Sequence, residues 1–138
     1  MDRLLKIYCD GGARGNPGSA AAAFVVERQG RVIFKNAKFL GNATNNVAEY
    51  SAVLLAMKWL SNFSEKEFEE VLFVLDSELV VKQLTGLFKI KNENLRSLYF
   101  SVKEEEKKIP LRISFAAVPR NKNRLADLLV NRKLDENS

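Results

Sequence analysis

Residues 4–30 read LLKIYCDGGARGNPGSAAAAFVVERQG, and they contain the signals for the first two strands of a sheet. The apolar-rich run at 4–9 stops at a glycine-rich segment, and a second β-compatible run covers 20–27. A turn at 29–30 separates it from a third run at 31–40. Because short turns join consecutive strands, these runs predict an antiparallel meander.

Downstream, the hydrophobic pattern changes from strands to a mixture of helices and strands. Apolar residues at helical spacing predict a helix of about four turns from Asn46. The continuous apolar run 71–75 is typical of a central strand covered on both faces. Further helices are predicted at 77–84, 94–107 and 123–134, and a fifth strand at 111–118. The sequence therefore predicts an α/β fold with a mixed five-stranded sheet, three antiparallel strands then two parallel, flanked by helices.

Composition limits both domain count and chemistry. The 138 residues, 46% of them hydrophobic, suit one domain over 1–138 whose core needs no disulfide or structural metal. The single cysteine excludes an internal disulfide and a CxxC zinc site. The complete absence of histidine excludes histidine-dependent triads and histidine-ligated zinc.

The charge of the chain favours a polyanionic partner. Its 22 Lys and Arg residues exceed its 17 Asp and Glu residues, for a net charge of +5. The opening MDRLLKIYCD resembles neither a signal peptide nor a membrane span. We therefore expect a cytoplasmic protein without a membrane partner.

Asp10 ends the first predicted strand and opens a glycine-rich loop. Four of the nine residues at 10–18 are glycine, which lets the backbone approach a ligand closely. The loop contains neither GxxxxGK[ST] nor GxGxxG, and it leads into a strand, so known phosphate-loop motifs are excluded. The alternative to a functional Asp10 is a long hairpin turn with an Asx-type aspartate.

Each of the other candidate carboxylates also has a structural alternative. Asn46 and Glu49 form a capping-box pattern at the start of the first helix. Asp76 and Ser77 share an N-cap position before the second helix. Asp127 lies in the last predicted helix, where a solvated polar stripe explains it.

The combined positions of these carboxylates favour a site. Asp10 and Asp76 each follow a predicted central parallel strand, and ligands of open α/β sheets bind beyond the carboxyl ends of strands. The helix-borne Glu49 and Asp127 can close over that point. Clustered carboxylates repel one another unless divalent cations neutralise them, and oxygen ligands suit Mg²⁺ or Mn²⁺. The set therefore predicts a metal site.

Four ordered blocks carry a family resemblance. They read YCDGGARGNPG, NATNNVAEYSAVLLAMKWL, VLDSELVVKQLTG and VPRNKNRLADLLVN, and they resemble the signature blocks of type 1 ribonucleases H over essentially the whole chain. The resemblance implies an endonuclease that cuts the RNA strand of RNA–DNA hybrids and leaves 5′-phosphate and 3′-hydroxyl ends. It also implies two Mg²⁺ ions, with Mn²⁺ as a substitute, and no organic cofactor.

The resemblance assigns catalytic and metal-binding roles to four carboxylates. By similarity, Asp10 bridges both ions, Glu49 and Asp76 hold the ion near the leaving 3′ oxygen, and Asp127 holds the ion that presents water. It also assigns contacts to the ribose 2′-OH, the minor groove and a DNA phosphate. The resemblance implies that the backbone of Gly12 and Gly15, together with Glu49, lies near the 2′-OH. It implies that Asn16 and Asn45 lie in the minor groove and that Thr44 and Asn46 bind the DNA phosphate.

Two departures from the family pattern stand out. Many relatives have a loop histidine before the last aspartate, whereas this chain offers Arg120, whose alternative is a solvated loop arginine. The basic handle of some relatives is also missing, so we expect weaker substrate binding and stronger salt sensitivity.

We expect the protein to act as a monomer.

Two other functions stay open at this point. The first is a catalytically silent nucleic-acid-binding domain on the same fold, because fold alone does not establish activity. A binding domain, however, has no use for four carboxylates that repel phosphates. The second is a related nuclease that also acts on double-stranded RNA or on DNA junctions.

Overall fold

The computed structural model of this chain describes residues 3–63 and 67–138. Within these ranges the strands form one five-stranded sheet in the order β3-β2-β1-β4-β5. The strands are β1 Leu4–Gly15, β2 Gly18–Arg28, β3 Arg31–Ala43, β4 Glu70–Leu75 and β5 Arg112–Ala117. The helices are α1 Asn45–Ser61, α2 Glu78–Leu84, α3 Glu93–Glu106 and α4 Arg124–Glu136.

The pairing of the strands confirms the predicted mixed sheet. Strands β1, β2 and β3 form the antiparallel meander, and β4 runs parallel to both β1 and β5.

No helix among the described residues is long and apolar enough to cross a membrane.

Strand β1 is longer than the sequence predicts. Its parallel pairing with β4 ends at Tyr8, but its antiparallel pairing with β2 continues from Asp10 opposite Ala23 to Gly15 opposite Gly18. The prediction that Asp10 ends the strand is therefore wrong: Asp10 lies where β1 parts from β4 and remains paired with β2.

Hydrophobic side chains cover both faces of the sheet. On one face, residues such as Ile7, Phe24 and Phe73 join the buried side of α1 in one cluster. On the other face, Ala21 and Ala23 of β2 pack against residues of α4. The two layers hold α1 and α4 over opposite faces, and both helices reach the end of the sheet where β4 stops.

The helix caps differ from the predicted ones. Thr44, and not Asn46, caps α1, because the Thr44 Oγ1 accepts a hydrogen bond from the Val47 amide at 3.2 Å. The predicted capping box of Asn46 and Glu49 is therefore wrong, since the helix begins earlier. Ser77 alone caps α2 in the same way. Neither Glu49 nor Asp76 is used as a cap.

Candidate active site

Three carboxylates meet where β1 and β4 part. Asp10 lies on β1, Glu49 lies in the first turns of α1, and Asp76 directly follows β4. One carboxylate oxygen from each residue lies within 4.8 Å of the other two. Asp10 and Glu49 are buried, at 4% and 7% exposed. We call Asp10, Glu49 and Asp76 the acidic triad.

Close backbone packing brings the acidic triad together. A side-chain Cβ at Gly11 would lie only 2.1 Å from the carbonyl carbon and oxygen of Ala48, so the contact between β1 and α1 requires glycine there. At this contact the Gly11 amide donates a 3.2 Å hydrogen bond to Oε1 of Glu49. The Glu49 carboxylate is thereby fixed beside Asp10.

Burial and mutual repulsion disfavour the charged forms of the acidic triad. Burial, and next the charge of Asp76, raise the pKa of Asp10 to about 7. Burial, followed by the charges of Asp10 and Asp76, holds the pKa of Glu49 well above its ordinary value. Burial also raises the pKa of Asp76, while the Arg120 guanidinium opposes that rise. The cluster therefore lacks sufficient positive charge of its own.

Two oxygens of the acidic triad are buried and have no hydrogen-bond partner among the residues that the structure describes. They are Oε2 of Glu49 and Oδ2 of Asp76. The nearest cation to the latter is Arg120, whose Nε lies 3.8 Å away and whose side chain is 79% exposed. Unsatisfied buried oxygens are costly, and hard oxygen ligands are those that Mg²⁺ and Mn²⁺ prefer. The residues present therefore fit a divalent cation.

Asp127 lies on the wall of the same cleft, outside the 4.8 Å cluster. The cleft has a volume of about 420 Å³, and the acidic triad and Asp127 all line it. Asp127 lies in the first turn of α4 and is partly exposed. Just before that helix, Asn123 is buried and its Nδ2 donates a 2.8 Å hydrogen bond to the Cys9 carbonyl oxygen. This bond ties the start of α4 to the strand that holds Asp10.

The predicted substrate contacts divide into two groups. Gly12, Asn45, Asn46 and Arg120 line the cleft. The others, Gly15, Asn16 and Thr44, are not part of its lining and lie beside it, at the β1–β2 turn and at the cap of α1.

Asn16 and Asn45 link the β1–β2 hairpin to the start of α1. Oδ1 of Asn45 accepts a hydrogen bond from the Ala13 amide at 2.8 Å. Oδ1 of Asn16 accepts one from the Asn45 amide at 3.0 Å. We call Asn16 and Asn45 the asparagine pair.

Sequence reasoning misses three residues that shape the site. The close approach at Gly11 depends on packing between β1 and α1, and its only local signal is the glycine-rich segment. Asn123 is buried by tertiary contacts, although its surroundings in the sequence are polar. Arg14 lines the cleft and pairs with Asp135 of α4, 121 positions away in the chain. No local pattern could reveal that pairing.

Comparisons with known proteins agree with this architecture. A family described as reverse transcriptase-like matches residues 8–133. A ribonuclease HI of Halobacterium salinarum is 37% identical over 130 residues, which are 94% of this chain and 63% of the relative. The chain belongs to the type 1 ribonuclease H family. The crystal structure of the ribonuclease H1 from that organism superposes with a TM-score of 0.88 at 35% identity and covers 96% of this chain and 98% of its own.

Two further relatives extend the comparison. The LC11 ribonuclease H1, solved in complex with RNA/DNA hybrid, has a TM-score of 0.90 at 36% identity, covering 96% of this chain and 97% of its own. A Mycobacterium tuberculosis protein described as bifunctional is 36% identical over 131 residues, 94% of this chain. The chain spans only 35% of that mycobacterial relative and 63% of the halobacterial one.

Proposed function

We propose that this ribonuclease H family member hydrolyses the RNA strand of RNA–DNA hybrids and leaves 5′-phosphate and 3′-hydroxyl ends. The observation that carries the proposal is the acidic triad, with two buried oxygens that have no hydrogen-bond partner among the described residues. A similar enzyme, LC11 ribonuclease H1, has been solved in complex with RNA/DNA hybrid. We further propose that residues 1–138 act as one catalytic domain.

The proposed cofactor is a pair of Mg²⁺ ions, with Mn²⁺ as a substitute. We assign Asp10, Glu49, Asp76 and Asp127 as the residues that hold them. When bound, such ions supply positive charge and the Lewis acidity that activates water and stabilises the leaving oxygen. The sequence contains no histidine, so no imidazole base competes for this role.

The chain itself supplies rigid ligands and substrate contacts. The Gly11 amide donates a hydrogen bond to one oxygen of Glu49, and the other oxygen is buried with no hydrogen-bond partner among the described residues. Asn45 uses its oxygen inside the protein, so its amide NH₂ group is available to nucleic acid in the cleft. Arg120, beside Asp76 and largely exposed, can offer its charge to a phosphate.

Cleavage of three matched duplexes tests the proposal. A labelled RNA–DNA hybrid, an RNA duplex and a DNA duplex of one sequence are incubated with the chain in Mg²⁺, Mn²⁺ or EDTA. We expect cleavage of the hybrid RNA strand alone, dependent on the metal. Comparable cleavage of the RNA duplex would favour the broader nuclease. Hybrid binding without cleavage in either metal would favour the silent binding domain.

A further inference from the structure

The cleft holds few positive charges for a site that must admit a polyanion. Four carboxylates line it, and among the described lining residues the cations are Arg14 and Arg120. Arg120 lies beside the acidic triad. Arg14 lies near the end of β1, next to the β1–β2 turn that contains Asn16. Arg14 therefore places a positive charge on the cleft wall near the asparagine pair.

Arg14 already has an anionic partner within the protein. Its Nη2 lies 2.7 Å from Oδ1 of Asp135 and donates a longer 3.4 Å hydrogen bond to the Asn131 carbonyl oxygen. Both partners belong to the second half of α4, where the helix dipole favours a cation. The two charged side chains are 44% and 69% exposed. An ion pair as open to water as this is weak and easily exchanged.

We propose that Arg14 binds a backbone phosphate of the nucleic acid, and that the Asp135 carboxylate pairs with the Arg14 guanidinium when no duplex is bound. This inference rests on the proposed function, because it assumes an RNA–DNA hybrid in the cleft. The planar guanidinium fork fits a phosphate as well as a carboxylate, so one partner can replace the other without moving β1. Asp135 then acts as an internal competitor that tunes affinity for the hybrid.

The exchange predicts opposite effects for the two partners of the ion pair. Removing the Arg14 charge removes a phosphate contact and weakens binding. Removing the Asp135 charge removes the competitor and strengthens binding. If the pair only fastened α4 to β1, both substitutions would break the same link and act in the same direction.

Salt-dependent binding of hybrid measures both effects. The chain with Asp10→Asn is titrated against a fluorescent hybrid in Mg²⁺ at several salt concentrations, and a gel verifies that the hybrid stays intact. Arg14→Ala should reduce the slope of log affinity against log salt by about 0.7 to 0.9, the value for one phosphate contact. Asp135→Asn should tighten binding by about twofold to threefold at low salt. Arg14→Lys should keep the slope, since it keeps the charge.

Arg112→Ala is the matched control. Arg112 is also an exposed arginine in an ion pair, 3.1 Å from Glu70, but it lies at the opposite end of β4 from the cleft. This variant should bind hybrid like its parent, and thermal melting verifies that each variant is folded.

The outcomes separate this inference from the proposed function. A parent that binds no hybrid would overturn both. A parent that binds hybrid, with an unchanged salt slope in folded Arg14→Ala, would overturn the role of Arg14 alone. Weaker binding in both Arg14→Ala and Asp135→Asn would also overturn it, in favour of a structural link.

Discussion

The asparagine pair and the acidic triad lie close together near the start of α1, which carries both Asn45 and Glu49. They differ in how their oxygens are satisfied. Oδ1 of Asn16 and Oδ1 of Asn45 each accept a hydrogen bond from a backbone amide. In the acidic triad, by contrast, one oxygen each of Glu49 and Asp76 is buried and accepts no hydrogen bond from the residues that the structure describes. The side-chain oxygens of the asparagine pair are therefore satisfied within the protein, whereas those two oxygens of the acidic triad call for a ligand.

This difference has an energetic meaning. A satisfied hydrogen bond contributes about 1 kcal/mol to stability, whereas a buried polar group without a partner costs about 1 to 3 kcal/mol. The asparagine pair therefore stabilises the fold. The acidic triad destabilises it in the absence of cations.

The largest effect should come from removing one charge of the acidic triad. Asp10→Asn should lower Mg²⁺-dependent cleavage of hybrid by about a thousandfold or more, because the proposed shared ligand of both ions is lost. The same change should stabilise the metal-free protein, since it relieves repulsion in a buried cluster. Single-turnover cleavage and thermal melting in EDTA measure the two effects. Near wild-type turnover with unchanged metal dependence would contradict the assignment of the four carboxylates.

The second prediction concerns the pH dependence of stability without metal. Burial raises the pKa of Asp10 to about 7, against about 3.9 in an unfolded chain. Between about pH 4 and pH 7, the folded protein therefore keeps a proton on Asp10 that the unfolded chain releases. The contribution of Asp10 to the free energy of unfolding is most favourable below about pH 4 and is lost as the pH rises through 7. Relative to Asp10→Asn, the wild type should lose roughly 1 to 4 kcal/mol over this range.

Urea unfolding in EDTA from pH 4 to 8 measures that loss. The Asp10→Asn variant is the control, because it keeps the other ionisable groups of the chain. Added Mg²⁺ should restore wild-type stability above pH 7, since cations favour the ionised carboxylates. If the free energy of unfolding changes with pH in the same way in both proteins, Asp10 does not cause the loss of stability.

A third and smaller effect concerns Arg120, the cation beside the acidic triad. Because the sequence contains no histidine, the single-turnover rate should rise from neutral into alkaline pH. This pH dependence should reflect the water that the proposed ions activate. Replacing Mg²⁺ with Mn²⁺ should shift the position of the rise. Arg120→Ala should lower the rate by about tenfold and leave the profile shape unchanged, because arginine does not titrate there.

Lys122→Ala is the control for that experiment, since Lys122 is an exposed cation in the same short 3₁₀ turn. It should leave the rate near that of the wild type. A bell-shaped profile that falls near neutrality and ignores the metal would require a protein acid and would overturn the proposed chemistry.

The smallest effects should separate the cap of α1 from the asparagine pair. Thr44→Ala removes the cap and should cost about 0.5 to 2 kcal/mol of stability. Asn45→Ala should also cost about 1 kcal/mol of stability, because it removes the hydrogen bond from the Ala13 amide. In addition, it should weaken hybrid binding by about threefold to tenfold, because it removes a polar group of the cleft. Thermal melting and a hybrid titration of both variants measure the difference. A loss of stability alone in Asn45→Ala would leave that residue a purely structural role.

Much of the fold is predictable because local patterns determine it. Apolar runs, helical spacing and turn residues locate the five strands and four α-helices of the described residues to within a few residues, except the end of β1. The approach of Asp10 and Asp76 is predictable as well, because parallel strands bring their carboxyl ends to one edge.

The remaining features depend on tertiary contacts. Three consecutive polar residues, 44–46, could each cap α1, and the choice of Thr44 depends on where β3 ends opposite β2. The extension of β1 to Gly15 depends on its pairing with β2. The burial of Asn123 depends on α4 docking against β1.

The missing side chain at Gly11 has a consequence for engineering the protein. Because the Gly11 backbone lies directly against Ala48, main-chain packing sets the span between Asp10 and Glu49, and side-chain rotamers contribute less. Volume-conserving exchanges in the core below, for example at Ile7 or Phe73, should therefore be tolerated. Position 11 admits no such exchange, so a designer who transfers this site to another scaffold must copy the backbone contact together with the carboxylates.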